Sequence, residues 1–115
     1  MLLNNFSLLY VEDDINTQEA VSMILEDEVK ELYLAKNGEE ALEIFENNNP
    51  DIILTDINMP IMDGIEMSKQ IKETNYHKPI VVLTAFSDVN SLKQTIDIGV
   101  DKYIVKPILD FQILL

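Results

Sequence analysis

Charged and hydroxyl side chains stand at the ends of short apolar runs in this sequence. Carboxylates gathered around a lysine and a hydroxyl can hold a hard divalent cation and bind the oxygens of a phosphoryl group. The runs cover residues 6–11, 52–54, 80–83 and 103–105, and another lies at 32–35. After them come Glu12, Asp13 and Asp14, then Asp56, Thr84 and Lys106, while the run at 32–35 is followed only by Lys36 and Asn37.

Elements that would bring these residues together can be read from the hydrophobic pattern. Unbroken apolar runs are typical of strands in a parallel sheet that is covered on both faces. The segments between them have helical spacing in their apolar residues. These are Val21, Ile24 and Leu25, then Ala41, Leu42 and Phe45, then Val89, Leu92 and Ile96. The pattern predicts a single α/β domain over residues 1–115, a doubly wound five-stranded parallel sheet with helices on both faces. Ligands bind such sheets outside the carboxyl ends of the strands.

Local signals predict where several helices begin and end. Asn37-Gly38 precedes the second helix, Ser87-Asp88 offers a cap for the fourth, and Gly99 can terminate it. Each of these positions agrees with the periodicity of the neighbouring apolar residues. The connectors are therefore helical crossovers between parallel strands.

Charge and composition exclude several classes of protein. The chain has 21 Asp and Glu against 8 Lys and Arg, a formal net charge of -13. Such a surface repels phosphate backbones, so we expect no direct binding of nucleic acid or of an anionic membrane. There is no cysteine, and no apolar stretch reaches the roughly 20 residues of a membrane span. A cytoplasmic protein without disulfides is the expectation.

Carboxylates brought close together stay ionised only if a cation compensates their charge. Mg2+ suits this set, because it prefers oxygen ligands and neither His nor Cys lies nearby in the sequence. Taken alone, each residue has a simpler interpretation: Asp14 caps a helix, Thr84 satisfies local backbone, and Lys106 is a surface lysine. Asp56 is harder to explain in this way, because it ends an apolar strand where an uncompensated charge is costly.

A nine-residue motif resembles the phosphorylation loop of response-regulator receiver domains. It covers residues 56–64, Asp-Ile-Asn-Met-Pro-Ile-Met-Asp-Gly, and the segments at 10–14, 84–85 and 106–107 match the family in order. The resemblance implies the flavodoxin-like strand order 2-1-3-4-5, which is also a known doubly wound order. It further implies a two-component signalling role, a histidine kinase or phosphotransfer protein as partner, and no turnover enzyme.

Carried over by position, the resemblance implies a phosphoacceptor and a metal site. Asp56 would accept the phosphoryl group. Asp13, Asp56 and the backbone carbonyl of Asn58 would bind Mg2+ directly, and Glu12 would act through water. Asp14 falls one position beyond the acidic pair.

The resemblance also implies a phosphate-binding group and a switch. Lys106 and Thr84 would contact the phosphoryl oxygens, with the small Ala85 leaving the entrance open. Thr84 would move toward the phosphoryl group, and Tyr103 would turn inward as it does. These changes would alter the surface around Thr84 and Tyr103.

Other classes of protein remain as alternatives. A pseudo-receiver that only binds partners is the strongest of them, although it usually lacks a key residue and none is missing here. A haloacid-dehalogenase-like phosphatase needs a second Asp where this chain has Asn58. A flavodoxin-like cofactor binder needs a neutral phosphate loop, whereas Glu12-Asp13-Asp14 would repel phosphate.

The sequence ends in an apolar run, Phe-Gln-Ile-Leu-Leu, at residues 111–115. Its helical spacing predicts a last helix that is cut short. We therefore expect a C-terminal output domain outside this sequence and a possible phosphorylation-dependent dimer. His77 is expected to be exposed, and Met59, Met62 and Met67 are expected to fill gaps in the core.

Overall fold

The computed structural model describes residues 2–84 and 89–105, except the side chains of residues 2, 3 and 89–92. Five parallel strands form one sheet in the order β2-β1-β3-β4-β5, as predicted. In chain order the elements are a 3-10 turn (Leu2–Asn5), β1 (Ser7–Val11), α1 (Ile15–Leu25), β2 (Glu31–Ala35), α2 (Gly38–Asn48), β3 (Ile52–Asp56), α3 (Gly64–Thr74), β4 (Ile80–Thr84), α4 (Val89–Ile98) and β5 (Lys102–Val105).

Burial explains why the apolar runs became strands. Every residue of β3 and β4 is buried, because these central strands carry core on both faces. The core on one face, toward α2 and α3, is formed by Leu9, Val11, Ala35, Ala41, Phe45, Ile53, Ile57, Met67, Ile71, Ile80 and Val82. The core on the other face, toward α1, is formed by Leu8, Tyr10, Leu25, Val29, Ile52, Leu54, Val81 and Leu83. The edge strand β2 is only partly buried.

Side-chain caps begin three of the helices. Asp14, Asn37 and Asp63 each accept a hydrogen bond from the backbone N–H three residues on, at 3.0, 2.9 and 2.8 Å. Gly99 follows α4 with φ of 92° and donates its N–H to the carbonyl of Thr95 at 3.1 Å. The predicted roles of Asn37 and Gly99 are confirmed. The predicted cap at residues 87 and 88 lies outside the described residues.

Helical spacing gave the positions of the helices but not all of their buried faces. On α1, Leu25 is buried, whereas Ile24 is 51% exposed. Ile96 on α4 is also exposed. His77 is exposed and Met67 is fully buried, as expected. None of the helices in residues 2–84 and 89–105 is long and apolar enough to cross a membrane.

A buried lysine forms hydrogen bonds and an ion pair at the amino-terminal edge of the sheet, opposite to the carboxyl ends of the strands. The ammonium of Lys72, on α3, donates to the carbonyls of Tyr76 and Lys78 at 3.0 and 2.8 Å. It also forms an ion pair with Asp101 at 3.3 Å, and the same carboxylate oxygen accepts the N–H of Ile80 at 2.8 Å. This set of bonds, the Lys72 brace, joins the end of α3 to the starts of β4 and β5.

We predict that Lys72→Met lowers the free energy of unfolding by about 2 kcal/mol, because three buried or half-buried acceptors lose their donor. Lys69→Met is the matched control, since Lys69 lies on the same helix with an exposed side chain. Urea denaturation measures both variants. Equal stability of the two variants would show that the Lys72 brace contributes nothing.

Candidate functional site

Three carboxylates meet at the carboxyl edge of the sheet. Because β1 pairs in parallel with β3, with Tyr10 opposite Leu54, Glu12 lies at the level of Asp56. One carboxylate oxygen from each of Glu12, Asp13 and Asp56 lies within 4.8 Å of the others. Residues 44 positions apart in the sequence are thus brought together as the strand pattern predicts.

Two of the three carboxylates in this acidic cluster are buried, which disfavours their charged forms. Glu12 is 2% exposed and Asp56 is 9% exposed, whereas Asp13 is open to solvent. Glu12 accepts the N–H of Asp14 at 3.2 Å, and Asp56 accepts the N–H of Ile57 at 2.8 Å. Carboxylates brought this close together favour the binding of a cation.

The donor set of the cluster fits a hard divalent cation. It consists only of carboxylate oxygens, which Mg2+ and Ca2+ prefer. The one histidine of the chain, His77, lies in the exposed connector between α3 and β4 and is not part of this set. Zinc and copper, which favour imidazole or thiolate, fit the cluster less well.

Asp14 has a separate structural role. Its carboxylate caps α1 by accepting the N–H of Thr17 at 3.0 Å, and it also accepts the hydroxyl of the same residue. The simpler interpretation of Asp14 as a helix cap is therefore correct. The carboxylates that gather at the cluster are those of Glu12, Asp13 and Asp56.

The loop between β3 and α3 is held in a constrained conformation. The carbonyl of Pro60 accepts the N–H of Met62 at 2.7 Å around Ile61, whose φ of 70° is rare for a β-branched residue. Met62 in turn accepts the N–H of Gly38, the first residue of α2, at 2.8 Å. Asn58, an exposed residue of this loop, follows Asp56 by two positions.

A glycine allows α3 to begin directly against the site. A Cβ atom added to Gly64 would lie 2.0 Å from the carbonyl oxygen of Asp56 and 3.1 Å from the hydroxyl of Thr55. Gly64 also donates its N–H to Ile57 at 2.8 Å. The glycine that ends the motif is therefore required by close approach of the backbone.

The predicted switch residues lie on neighbouring strands. Thr84 ends β4 and is 1% exposed, and Tyr103 on β5 is half-buried against the core toward α2 and α3. The register pairs Val82 with Tyr103 and Thr84 with Val105. Since Val82 belongs to the same core, alternation places the side chains of Thr84 and Tyr103 on one face of the sheet. The other two predicted phosphate-binding residues, Ala85 and Lys106, lie outside the described residues.

Two residues at the site were not found from the sequence. The amide of Gln18 donates to the carbonyls of Glu12 and Ala35 at 3.1 and 3.0 Å and so holds the turn that presents the cluster. Tyr10 is fully buried two residues before Glu12, on the same face of β1. The period of two along a strand could have indicated Tyr10, whereas the sequence carries no signal for Gln18.

The hydroxyl of Tyr10 lies among acidic groups. Burial, followed by the negative charges of Glu12, Asp56 and Asp14, raises the pKa of Tyr10 well above its usual value. A hydrogen bond to Glu12 also contributes to this rise of the pKa, although its geometry falls short of a normal hydrogen bond. Buried hydroxyls without a partner are uncommon in native proteins.

The strand order and the acidic cluster at the carboxyl edge define a doubly wound α/β domain of the flavodoxin-like type. The family model described as response regulator receiver domain matches residues 8–115. The chain belongs to this family of receiver domains, and its role is therefore in two-component signal transduction. Such domains are generally not turnover enzymes.

Relatives in several organisms agree with this assignment. Response regulator MprA from Mycobacterium sp. (strain KMS) is 37% identical over 100 residues, which cover 87% of this chain and 44% of MprA. Chemotaxis protein CheY from Halobacterium salinarum is 36% identical over 87% of this chain and 83% of its own length. This chain thus spans less than half the length of MprA but most of CheY.

A solved structure with the same fold contains Mg(2+)-BeF. Response regulator protein TrrA from Thermotoga maritima, in complex with Mg(2+)-BeF, superposes with a TM-score of 0.83. It is 32% identical, and the match covers 96% of this chain and 99% of TrrA.

We predict that Gly64→Ala destabilises the domain by at least about 3 kcal/mol, because the added methyl group overlaps the carbonyl of Asp56. Ser68→Ala, on the same helix, is the control, since it removes atoms and adds none. Chemical denaturation compares the two variants. Wild-type stability of Gly64→Ala would mean that the start of α3 is not in close contact with Asp56.

Proposed function

We propose that this domain is a phosphorylation switch in which Asp56 accepts a phosphoryl group from a histidine kinase or a phosphotransfer protein. The observation that carries the proposal is the acidic cluster of Glu12, Asp13 and Asp56, with ligand oxygens within 4.8 Å of one another at the end of β3. Membership of the receiver family supports the proposal.

Mg2+ is the proposed cofactor. Asp13, Asp56 and the carbonyl of Asn58 would hold it directly, and Glu12 would hold it through water. When bound, it offsets the negative charge that accumulates between a carboxylate and an incoming phosphoryl group. The presence of Mg(2+)-BeF in the TrrA structure supports this assignment for a related chain.

The proposed transfer uses one carboxylate oxygen of Asp56 as the nucleophile. This oxygen forms a bond to phosphorus while the bond from phosphorus to the imidazole nitrogen of the donor breaks. The imidazole keeps the electron pair, and Asp56 becomes an acyl phosphate. The N–H of Ile57, which the Asp56 carboxylate accepts at 2.8 Å, helps to orient the nucleophile. Lys106, Thr84 and Ala85 would surround the transferred oxygens, with Lys106 supplying the positive charge.

A change at β4 and β5 would transmit the signal. Thr84 would donate its hydroxyl to the new phosphoryl group, and the space it leaves would let Tyr103 turn inward. Their positions on one face of neighbouring strands support this coupling. The surface around Tyr103 would then differ between the two states.

The partners of the whole protein are also proposals. The chain corresponds to 44% of the length of MprA, which leaves room for an output domain in proteins of that size. Such an output domain would produce the response to phosphorylation in the cytoplasm. Dimerisation that depends on phosphorylation would contribute to it. With a formal charge of -13, this domain itself would contact neither nucleic acid nor a membrane. A pseudo-receiver that acts only by binding partners is the alternative, and the complete acidic cluster argues against it.

Acetyl phosphate with Mg2+ should add one phosphoryl group to the wild-type domain and none to Asp56→Ala, because the nucleophile is removed. Asp97→Ala controls for the loss of an exposed carboxylate on α4. Intact mass spectrometry reads both reactions. Equal uptake by Asp56→Ala would place the phosphoacceptor elsewhere, and no uptake by the wild-type domain would favour the pseudo-receiver.

Removing a direct ligand should weaken Mg2+ binding strongly. We expect Asp13→Ala to raise the dissociation constant about tenfold or more. Asp27→Ala, an exposed change in the turn between α1 and β2, should leave it unchanged. Isothermal titration calorimetry measures the three proteins. Wild-type affinity in Asp13→Ala would exclude this carboxylate as a ligand.

A further inference from the structure

The Tyr10 hydroxyl is a buried polar group that the transfer step does not use. Its residue is 0% exposed, and within the described parts of the chain the hydroxyl has no hydrogen-bond partner. A hydroxyl that leaves water on folding without gaining a hydrogen bond destabilises the folded state. If only the ring were needed for packing, phenylalanine would pack equally well. The position of the hydroxyl therefore suggests a hydrogen bond that is only poorly formed in this state of the protein.

The strand geometry shows where that partner lies. Glu12 follows the last residue of β1 and lies two positions after Tyr10, so both side chains leave the same face of the sheet. On the neighbouring strand, Leu54 is opposite Tyr10 and Asp56 comes two residues later on that face. Side chains on strands lean along the strand direction, and a tyrosine is long enough to reach the next residue on its face. The hydroxyl thus lies beneath the acidic cluster, with Glu12 as its neighbour.

Glu12 can accept this hydrogen bond without losing those it already makes. A carboxylate has about four acceptor positions, and one of its oxygens takes the N–H of Asp14 at 3.2 Å. Water-mediated binding of a cation would use another position. Glu12 makes at least one further interaction, and four acceptor positions still leave room for one donor from below. Tyr10 is a buried donor within reach that has no other hydrogen-bond partner among the described residues.

We propose that Tyr10 is a positioning residue of the metal site, whose hydroxyl donates to the Glu12 carboxylate when Mg2+ is bound. This inference rests on the proposed function of the acidic cluster. Tyr10 would not touch the cation. It would hold Glu12 in the orientation that receives the water ligands of the metal, as outer hydrogen bonds do at other metal sites. The donor comes from the core of the domain, so it is fixed before the cation arrives.

The test is Tyr10→Phe, which keeps the ring and removes only the hydroxyl. In the absence of Mg2+, the melting temperature should stay the same or rise, because a buried group without a partner has been removed. Mg2+ affinity should fall roughly three- to tenfold. The thermal shift produced by Mg2+ should shrink accordingly, since ligand stabilisation depends on the ratio of concentration to dissociation constant. Calorimetric titration gives the affinity directly.

Ser68→Ala is a matched control. Ser68 on α3 has the other fully buried side-chain hydroxyl without a partner among the described residues. Its removal should likewise preserve or raise the melting temperature in the absence of Mg2+. It should leave Mg2+ affinity unchanged, because α3 packs on the face of the sheet opposite to the side chain of Tyr10. If Tyr10→Phe lowers Mg2+ affinity and Ser68→Ala does not, the loss of affinity results from the position of the Tyr10 hydroxyl and not from removal of a buried hydroxyl in general.

A double variant tests whether Tyr10 acts through Glu12. In a Glu12→Ala background, Tyr10→Phe should have no further effect on Mg2+ affinity. Equal affinity of Tyr10→Phe and the wild-type protein would overturn the inference and leave the proposed function intact. An undiminished effect in the Glu12→Ala background would overturn the role assigned to Glu12. Absence of Mg2+ binding by the wild-type protein would overturn both the inference and the proposed metal site.

Discussion

The parallel pairing of β1 with β3 is the interaction on which the site depends. It places Glu12 and Asp13 beside Asp56 although 43 or 44 residues separate them in the sequence, and no local segment of the chain could do this alone. Most side chains of the two strands are apolar, and the carboxylates crowd together only at the carboxyl edge. Burial of the strands thus provides the free energy that holds like charges in contact. The ability of the site to hold a cation follows directly from its position in the fold.

Much of this arrangement could be predicted from the sequence because it depends on chain-wide regularities. Unbroken apolar runs identified all five strands to within two residues of their observed ends, and the chemistry of parallel sheets then placed the acidic residues on one edge. Asn37 and Gly99 act as helix boundaries through local backbone chemistry, which is also readable from sequence. The motif at residues 56–64 was informative because several of its positions are constrained by close contact, as the start of α3 against Asp56 demonstrates.

The features that could not be predicted depend on tertiary contacts between distant residues. A lysine on an amphipathic helix is ordinarily exposed. The sequence around Lys72 does not predict that three oxygens from two connectors surround its ammonium group. The exposure of Ile24 could not be predicted from the sequence either. Helical spacing identifies an apolar face of the helix but does not show which residues at its margins are buried. Gln18 reaches two carbonyls on neighbouring strands, which only the folded chain brings together. Roles that rest on Ala85 and Lys106 remain predictions from the sequence.

The Lys72 brace lies at the opposite end of the strands from the acidic cluster. Five residues of β-strand separate the two edges by roughly 16 Å, which exceeds the distance over which charges act strongly at physiological ionic strength. Changes in the brace can therefore alter how long the folded domain survives in a cell while leaving the charge balance at Asp56 untouched. Substitutions at one edge of the sheet can therefore change the stability of the domain while the acidic cluster at the other edge is preserved.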